Sequence, residues 1–143
     1  MIVLDTNLIS EGFRPIPNEA AIAWLKAQPV ESLYLCTPVL AELRYGVEKL
    51  PSGRRQRDLL GRVDSVEDFF RDRLLVLDQA AAAEFGRLAA LRQRKGRQIE
   101  PMDALIAAIA SAQGFALATR DIDDFADLGI ELINPFGDAA EKR

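Results

Sequence analysis

Four apolar runs of three or four residues, at 2–4, 33–36, 74–77 and 115–118, and a fifth short segment at 130–133 interrupted by Glu131, alternate with longer segments whose apolar residues recur every three to four positions. Runs this short are strands rather than helices, and the intervening segments are long enough to carry the chain back across a sheet. The alternation calls for an α/β fold: parallel strands need crossovers, and the crossover helices cover both faces of the sheet. LYLC at 33–36, apolar throughout, fits a strand buried on both sides.

Turn and cap residues set the expected boundaries. Asn18 caps a helix that Pro29 closes. Thr37 is a cap and Pro38 a first helical residue for a segment with Val39, Leu40, Leu43 and Val47 on one side, running to about Leu50. A helix at 54–70 carries Leu59, Leu60, Val63, Val66 and Phe70 as its apolar stripe. Asp78 caps an alanine-rich helix stopped by Gly96, and Pro101 opens another stopped by Gly114. With 143 residues the chain makes one domain, over 1–136, and the last residues, 137–143, read as a frayed tail.

Composition narrows the chemistry more than the fold. Histidine is absent and cysteine occurs once, at Cys36 in an apolar run, so His-based triads, His-rich metal sites and thiolate clusters are excluded within the chain. Catalysis is left with carboxylates, hydroxyls, Lys, Arg or a metal held by oxygen. Cys36 reads as an inert core residue. The lone thiol, with no basic leader and no run of 18 apolar residues, points to the cytoplasm and away from membranes. The net charge of −4 does not advertise nucleic-acid binding, but Arg54, Arg55 and Arg57 cluster in GRRQR, and Arg87, Arg92, Arg94, Lys95 and Arg97 in a second stretch.

The acidic residues fall in a pattern. Ligands of open parallel sheets bind at the carboxyl ends of the strands. Asp5 follows the first strand directly, Glu42 lies early in the helix leaving the second, and Asp121 follows the fourth. Asp103 is the third residue of the helix that precedes strand four, and about 13 residues at 1.5 Å each carry that helix back across the sheet. Its start therefore reaches the same edge. Each acid alone reads as a cap, a turn residue or a solvated side chain. Together they would repel one another unless a cation sat among them. With no histidine or thiolate available, that cation is a hard one, Mg²⁺ or Mn²⁺, and its chemistry is phosphodiester hydrolysis or phosphoryl transfer.

The segments MIVLDTN, NEAAIAWL, YLCTPVLAELRYGV, IEPMDALIAAIA, LATRDIDDF and INPF, in that order over residues 1 to about 136, resemble the PIN-domain ribonucleases of the VapC/FitB toxin type. The resemblance implies a PIN-like three-layer α/β/α fold with a mostly parallel sheet of about five strands. It implies a catalytic set of Asp5, Glu42, Asp103 and Asp121, with metal held chiefly by Asp5, Asp103 and Asp121. The family's TR pair is followed either by an acid at once or by Asn with an acid three residues on. This sequence offers both Asp121 and Asp124; Asp121, nearer the strand end, is preferred, and Asp123 is the weakest of the cluster. Thr6, Asn7 and Thr119 would orient carboxylates or water. The resemblance further implies an RNA substrate, a homodimer, and a cognate antitoxin, a small ribbon-helix-helix or similar DNA-binding protein. Arg92, Arg94, Lys95 and Arg97, and after them Arg54 and Arg55, become candidate phosphate contacts.

The leading expectation is thus a Mg²⁺-dependent endoribonuclease of a type II toxin–antitoxin system. A second reading is a non-catalytic partner-binding protein, its acidic crevice capturing an Arg or Lys of the antitoxin within a DNA-binding complex. A third, phosphorylation of Asp5 itself, wants a nearby lysine, and the stretch after strand four supplies Arg120 instead.

Overall fold

The computed structural model describes residues 1–137, so the tail expected over 137–143 lies, but for Gly137, outside the described residues. Five strands, β1 (Ile2–Leu4), β2 (Leu33–Cys36), β3 (Leu74–Leu75), β4 (Ala116–Ala118) and β5 (Leu132–Ile133), form one sheet in the order β3-β2-β1-β4-β5, every pair parallel. Helices α1 (Thr6–Glu11), α2 (Glu19–Ala27), α3 (Thr37–Glu48), α4 (Arg54–Phe69), α5 (Gln79–Arg94) and α6 (Pro101–Gln113) flank it. Strand order reverses at β1, between its two neighbours β2 and β4. Parallel sheets of this kind open their ligand crevice at such a reversal.

The registers bring the strand ends level. Leu4 stands opposite Ala118, Ala118 opposite Ile133, and Cys36 opposite Leu75. Beyond them the ladder continues for one residue: Asp5 N–H donates to Ala118 O at 2.9 Å and Thr119 N–H to Ile133 O at 2.9 Å. Val3, Leu4, Leu35 and Leu117 are sealed from solvent on both faces, which fixes the backbone from which Asp5 and Thr119 project. Among the described residues no helix is long and apolar enough to cross a membrane.

Helix α6 is the inner helix. Ala104, Ile106, Ala107, Ala108, Ile109 and Ala110 are all buried, and α5 packs along it. Gly114 ends it at φ +71°, a left-handed conformation that costs glycine nothing, and Phe115 N–H closes back on Ala110 O at 3.0 Å. The reversal feeds β4, so the start of α6, with Asp103, lies at the opposite edge of the sheet, above the carboxyl ends.

Several boundaries differ from the sequence reading. The six residues after Asp5 form α1, where no helix was expected, and Asp5 is its N-cap, accepting from Thr6 N–H at 2.8 Å. Thr37 is the first residue of α3 rather than its cap: Cys36 holds the cap position while still paired to Leu75, so the chain turns into helix with no side-chain cap bond. β3 stops at Leu75, because β2 has already turned away, and Val76 and Leu77 are left exposed. β5 likewise begins only at Leu132, where β4 offers partners.

Cys36 is fully buried and its thiol is pushed up to about 12, first by burial, against a backbone hydrogen bond from Val39, with Asp5 and Glu42 adding repulsion. It is expected to resist a thiol-labelling disulfide reagent in the folded protein at pH 8 and to react promptly in denaturant. Prompt labelling of the folded protein would contradict this burial.

Candidate functional site

At the carboxyl edge, β1 and β4 deliver Asp5 and Thr119 side by side, and a hydrogen-bond network joins them. The Thr119 hydroxyl, fully buried, donates to Asp5 Oδ2 at 2.7 Å. The Asn7 amide, on the second residue of α1, points Nδ2 at Asp5 Oδ2 (3.2 Å), Thr119 Oγ1 (3.2 Å) and Asp121 Oδ2 (3.0 Å). Its carbonyl Oδ1 accepts from Arg120 N–H at 3.3 Å, and Asp121 N–H donates to Thr119 Oγ1 at 2.9 Å. One asparagine therefore fixes the relation between Asp5 and Asp121. On the other flank the Thr6 hydroxyl donates to Glu42 Oε1, tying α3 to the same α1 turn.

Asp5 is buried, and its carboxyl is pushed up to about 6. Burial is the main cause, opposed by the Thr119 and Thr6 hydrogen bonds, with Glu42 and Asp121 adding repulsion. Asp103 is pushed up further, to about 7, first by burial and then by the charges of Asp5, Asp124, Glu42 and Asp121. Five carboxylates, at the end of β1, on α3 and α6 and in the β4–β5 connection, thus act on one another electrostatically, and two of them hold protons to near neutrality. Protein interiors build such repulsion at sites that meet a cation or move a proton.

Among the described residues, no three of these acids close on one another tightly enough to enclose an ion by themselves. The donor set is all oxygen and open, which suits an ion that keeps most of its water and takes one or two carboxylates, as Mg²⁺ and Mn²⁺ do. It suits zinc less well, because zinc sites are built mainly on histidine nitrogen and cysteine sulfur, and neither is available here. The structure therefore brings Asp5, Glu42, Asp103 and Asp121 to one edge, with Thr6, Asn7 and Thr119 bonded among them. Asp124 belongs there as well: Asp121 is tied to the Asp5 side through Asn7, whereas the Asp124 charge bears more strongly on Asp103 than that of Asp121 does. Asp123 turns its backbone carbonyl to Arg97 Nη2 at 2.9 Å.

The basic stretches divide. Arg92, expected to face a phosphate, is only 3% exposed. Its Nε donates to Arg97 O at 2.9 Å, and its Nη1 to Asp124 O at 3.1 Å and Ala126 O at 2.9 Å. It is a latch between the end of α5 and the acid-bearing loop, not a surface contact. Arg97 is half exposed but leans on Asp123 and, at 3.8 Å, on Asp127. Arg94 and Lys95 are exposed at the end of α5. Arg54 and Arg55 open α4 and line a groove that begins at Glu42. Sequence reasoning also missed Glu11, a buried carboxylate that accepts from Asn18 N–H at 2.7 Å and pairs with Arg14 at 3.5 Å, clamping the loop after α1.

Known proteins place this architecture. The sequence profile of the PIN domain matches residues 2–131. The plasmid stability protein StbB of Pseudomonas syringae pv. tomato is 42% identical over 137 residues, 95% of this chain and 99% of that protein. The VapC ribonuclease Y4jK of Sinorhizobium fredii is 40% identical, over 95% and 98%. Toxin FitB of Neisseria gonorrhoeae is 37% identical, over 96% and 100%. Among solved structures, a FitAB complex bound to an IR36 DNA fragment superposes with a TM-score of 0.90 at 36% identity, covering 95% of this chain and 96% of that one. A VapBC2 complex from Rickettsia felis, bound to a fragment of its promoter DNA, gives 0.80 at 25% identity, over 94% and 98%.

Proposed function

The chain belongs to the PIN domain family, with VapC and FitB proteins among its relatives, and on that premise we propose that it is a metal-dependent endoribonuclease, the toxin of a type II toxin–antitoxin pair. The observation that carries the reading is the set of mutually repelling carboxylates at the strand reversal, two of them with proton affinities raised to near neutrality. Mg²⁺, or Mn²⁺ in its place, would be held by Asp5 and Asp103 with Asp121 or Asp124, and when bound it neutralises charge on the phosphoryl group and lowers the pKa of an attacking water.

The chain's own residues do the rest. Thr119 and Thr6 N–H hold Asp5 from two sides, so the carboxylate keeps one orientation. Asn7 sets its distance to Asp121. The Thr6 hydroxyl holds Glu42, leaving its second oxygen to orient a water for attack in line with the scissile bond. Rigid strand ends make this positioning reproducible.

Cleavage of a labelled single-stranded RNA by the purified protein tests the reading. It is expected with Mg²⁺ or Mn²⁺ and is expected to stop in EDTA. Cleavage that survives chelation, or none with either metal, would refute it. A partner role runs beside the nuclease and is supported by the antitoxin complexes among the structural relatives, the FitAB and VapBC2 complexes on DNA among them. In that role a homodimer of this chain is held by a cognate DNA-binding antitoxin, which supplies an Arg or Lys to the acidic crevice and so inhibits it. The nuclease reading leads, because a crevice serving partner capture alone has no use for acids whose burial and mutual repulsion raise the proton affinity of Asp5 and Asp103.

A further inference from the structure

β4 and β5 end level, and each is followed within three residues by a side chain that meets the other beyond the sheet, Arg120 after Ala118 and Phe136 after Ile133. The guanidinium carbon of Arg120 stands 4.0 Å from the centroid of the Phe136 ring, and Phe136 is only 2% exposed. We propose that this stack is a positioning device for the metal site: Phe136 anchors Arg120, and Arg120 fixes the turn that presents Asp121. The proposal rests on the metal-dependent reading above.

The turn is the first argument. The sheet ladder ends at Thr119, whose N–H donates to Ile133 O, and the 3-10 turn begins only at Ile122. Asp121 lies between them at φ −92° and ψ 63°, and Ile122 N–H closes on Arg120 O at 3.0 Å. Those values describe an inverse γ-turn with Asp121 at its centre and Arg120 as its first residue. A turn of three residues takes its direction from what holds its ends. Arg120 N–H donates to Asn7 Oδ1 at 3.3 Å, so Arg120 meets the acid network through its backbone and Phe136 through its side chain. Fixing the tip of that side chain restrains the backbone that carries Asp121.

The platform is the second argument. Phe136 N–H donates to Asn134 Oδ1 at 3.0 Å, Pro135 between them has a fixed φ, and the ring belongs to the hydrophobic core. The ring is thus held independently of Arg120. A cation over an aromatic face is attracted electrostatically, the more so when the pair is shielded from water, and a planar guanidinium gives the contact a geometry that an ammonium does not. Covering a buried ring needs only an apolar side chain. A positive charge one residue from Asp121 opposes an incoming metal ion, and the anchoring of the turn offsets that cost.

The test follows Mn²⁺ binding, by electron paramagnetic resonance of the free ion, to the full chain well below its melting temperature, in the wild type, Arg120→Met, Phe136→Leu, the double variant and Phe136→Tyr. Met and Leu keep apolar bulk and remove the cation and the ring face. Charge alone predicts that Arg120→Met tightens Mn²⁺, since a cation beside the site is gone. Lost positioning predicts the reverse: each single variant is expected to weaken Mn²⁺ about tenfold. The double variant is expected to lose no more than either single one, and Phe136→Tyr, which keeps the ring face, to bind as the wild type does. Should Phe136→Leu fail to fold, Arg120→Met and Phe136→Tyr carry the test. Unchanged or tighter Mn²⁺ in Arg120→Met, losses that multiply in the double variant, or Phe136→Tyr as weak as Arg120→Met would each overturn the proposal. So would a lower melting temperature with wild-type Mn²⁺ affinity, since the stack would then be core packing alone. RNA cleavage measured alongside separates this proposal from the reading beneath it. If the wild type binds Mn²⁺ with this dependence yet cuts no RNA, the nuclease reading fails and the stack stands; if it cuts RNA with metal while the variants bind Mn²⁺ as it does, the stack fails and the nuclease reading stands.

Discussion

Asp103→Asn is expected to lower metal-dependent RNA cleavage by about a hundredfold or more, and at the same time to make the metal-free protein more stable above pH 7. The two effects have one cause. In the fold, Asp5 and Asp103 titrate near 6 and near 7, whereas the ordinary carboxyl value is 3.8. The folded state therefore holds protons that the unfolded state has released. The stability tied to these protons is whole below about pH 4 and is lost as pH rises through 6 and 7. Replacing Asp103 by Asn removes a charge that Asp5, Asp124, Glu42 and Asp121 all oppose, so at pH 8 in EDTA the variant should melt a few degrees above the wild type. At pH 4 the difference should vanish. Mg²⁺ should narrow the gap at pH 8, because only the wild type keeps the full set of acids for the ion to neutralise. Melting curves at pH 4, 6 and 8, with EDTA or Mg²⁺, alongside cleavage rates, check both halves. A variant that cuts RNA normally, or a stability difference that ignores pH, would show that Asp103 does not stand in the repelling cluster.

That Asp103 could be picked out from the sequence follows from where a crossover helix must begin. A 13-residue helix entering a strand from the amino edge starts at the carboxyl edge, and Pro101 and Gly114 mark both its ends. Asp5 was legible for a similar reason: a buried three-residue strand ending in a carboxylate leaves that carboxylate little freedom. What could not be read was α1. Six residues span less than two turns, only Leu8 and Glu11 among them are buried, and so no periodicity emerges. Its absence hid two facts, that Asp5 is a helix cap as well as a member of the acidic cluster, and that Asn7 returns toward the strand ends to bridge Asp5 and Asp121. The lengths of β3 and β5 were illegible because they are set by where the neighbouring strand stops, not by their own apolar residues. The fourth acid stays divided between Asp121 and Asp124, since a short 3-10 turn at Ile122–Phe125 presents one toward Asp5 and the other toward Asp103.

The deepest misreading, Arg92, leads to the second large effect. In RQRKGR, five residues before Arg97 and more than thirty before its carbonyl partners, Arg92 is indistinguishable from its solvated neighbours. Only the tertiary fold brings Asp124 O and Ala126 O to its guanidinium. Arg92→Ala would strand three carbonyls and open a cavity beneath the acid-bearing loop, and it is expected to destabilise the protein by about 3 kcal/mol in chemical denaturation. Arg94→Ala, on the exposed side of the same helix, is expected to be nearly neutral. Arg92→Lys keeps a charge and some donors but not the planar fork that reaches separate carbonyls, so it should recover only part of the loss. Because Asp121 and Asp124 ride on the latched segment, amide exchange over 121–127 should quicken and Mg²⁺ affinity should fall in Arg92→Ala, even under conditions where the protein remains folded. A phosphate contact predicts the reverse, with stability and exchange untouched and RNA affinity reduced. Denaturation, exchange and metal titration of the three variants therefore separate the latch from the surface role, and a stable Arg92→Ala protein with weakened RNA binding would restore the surface role.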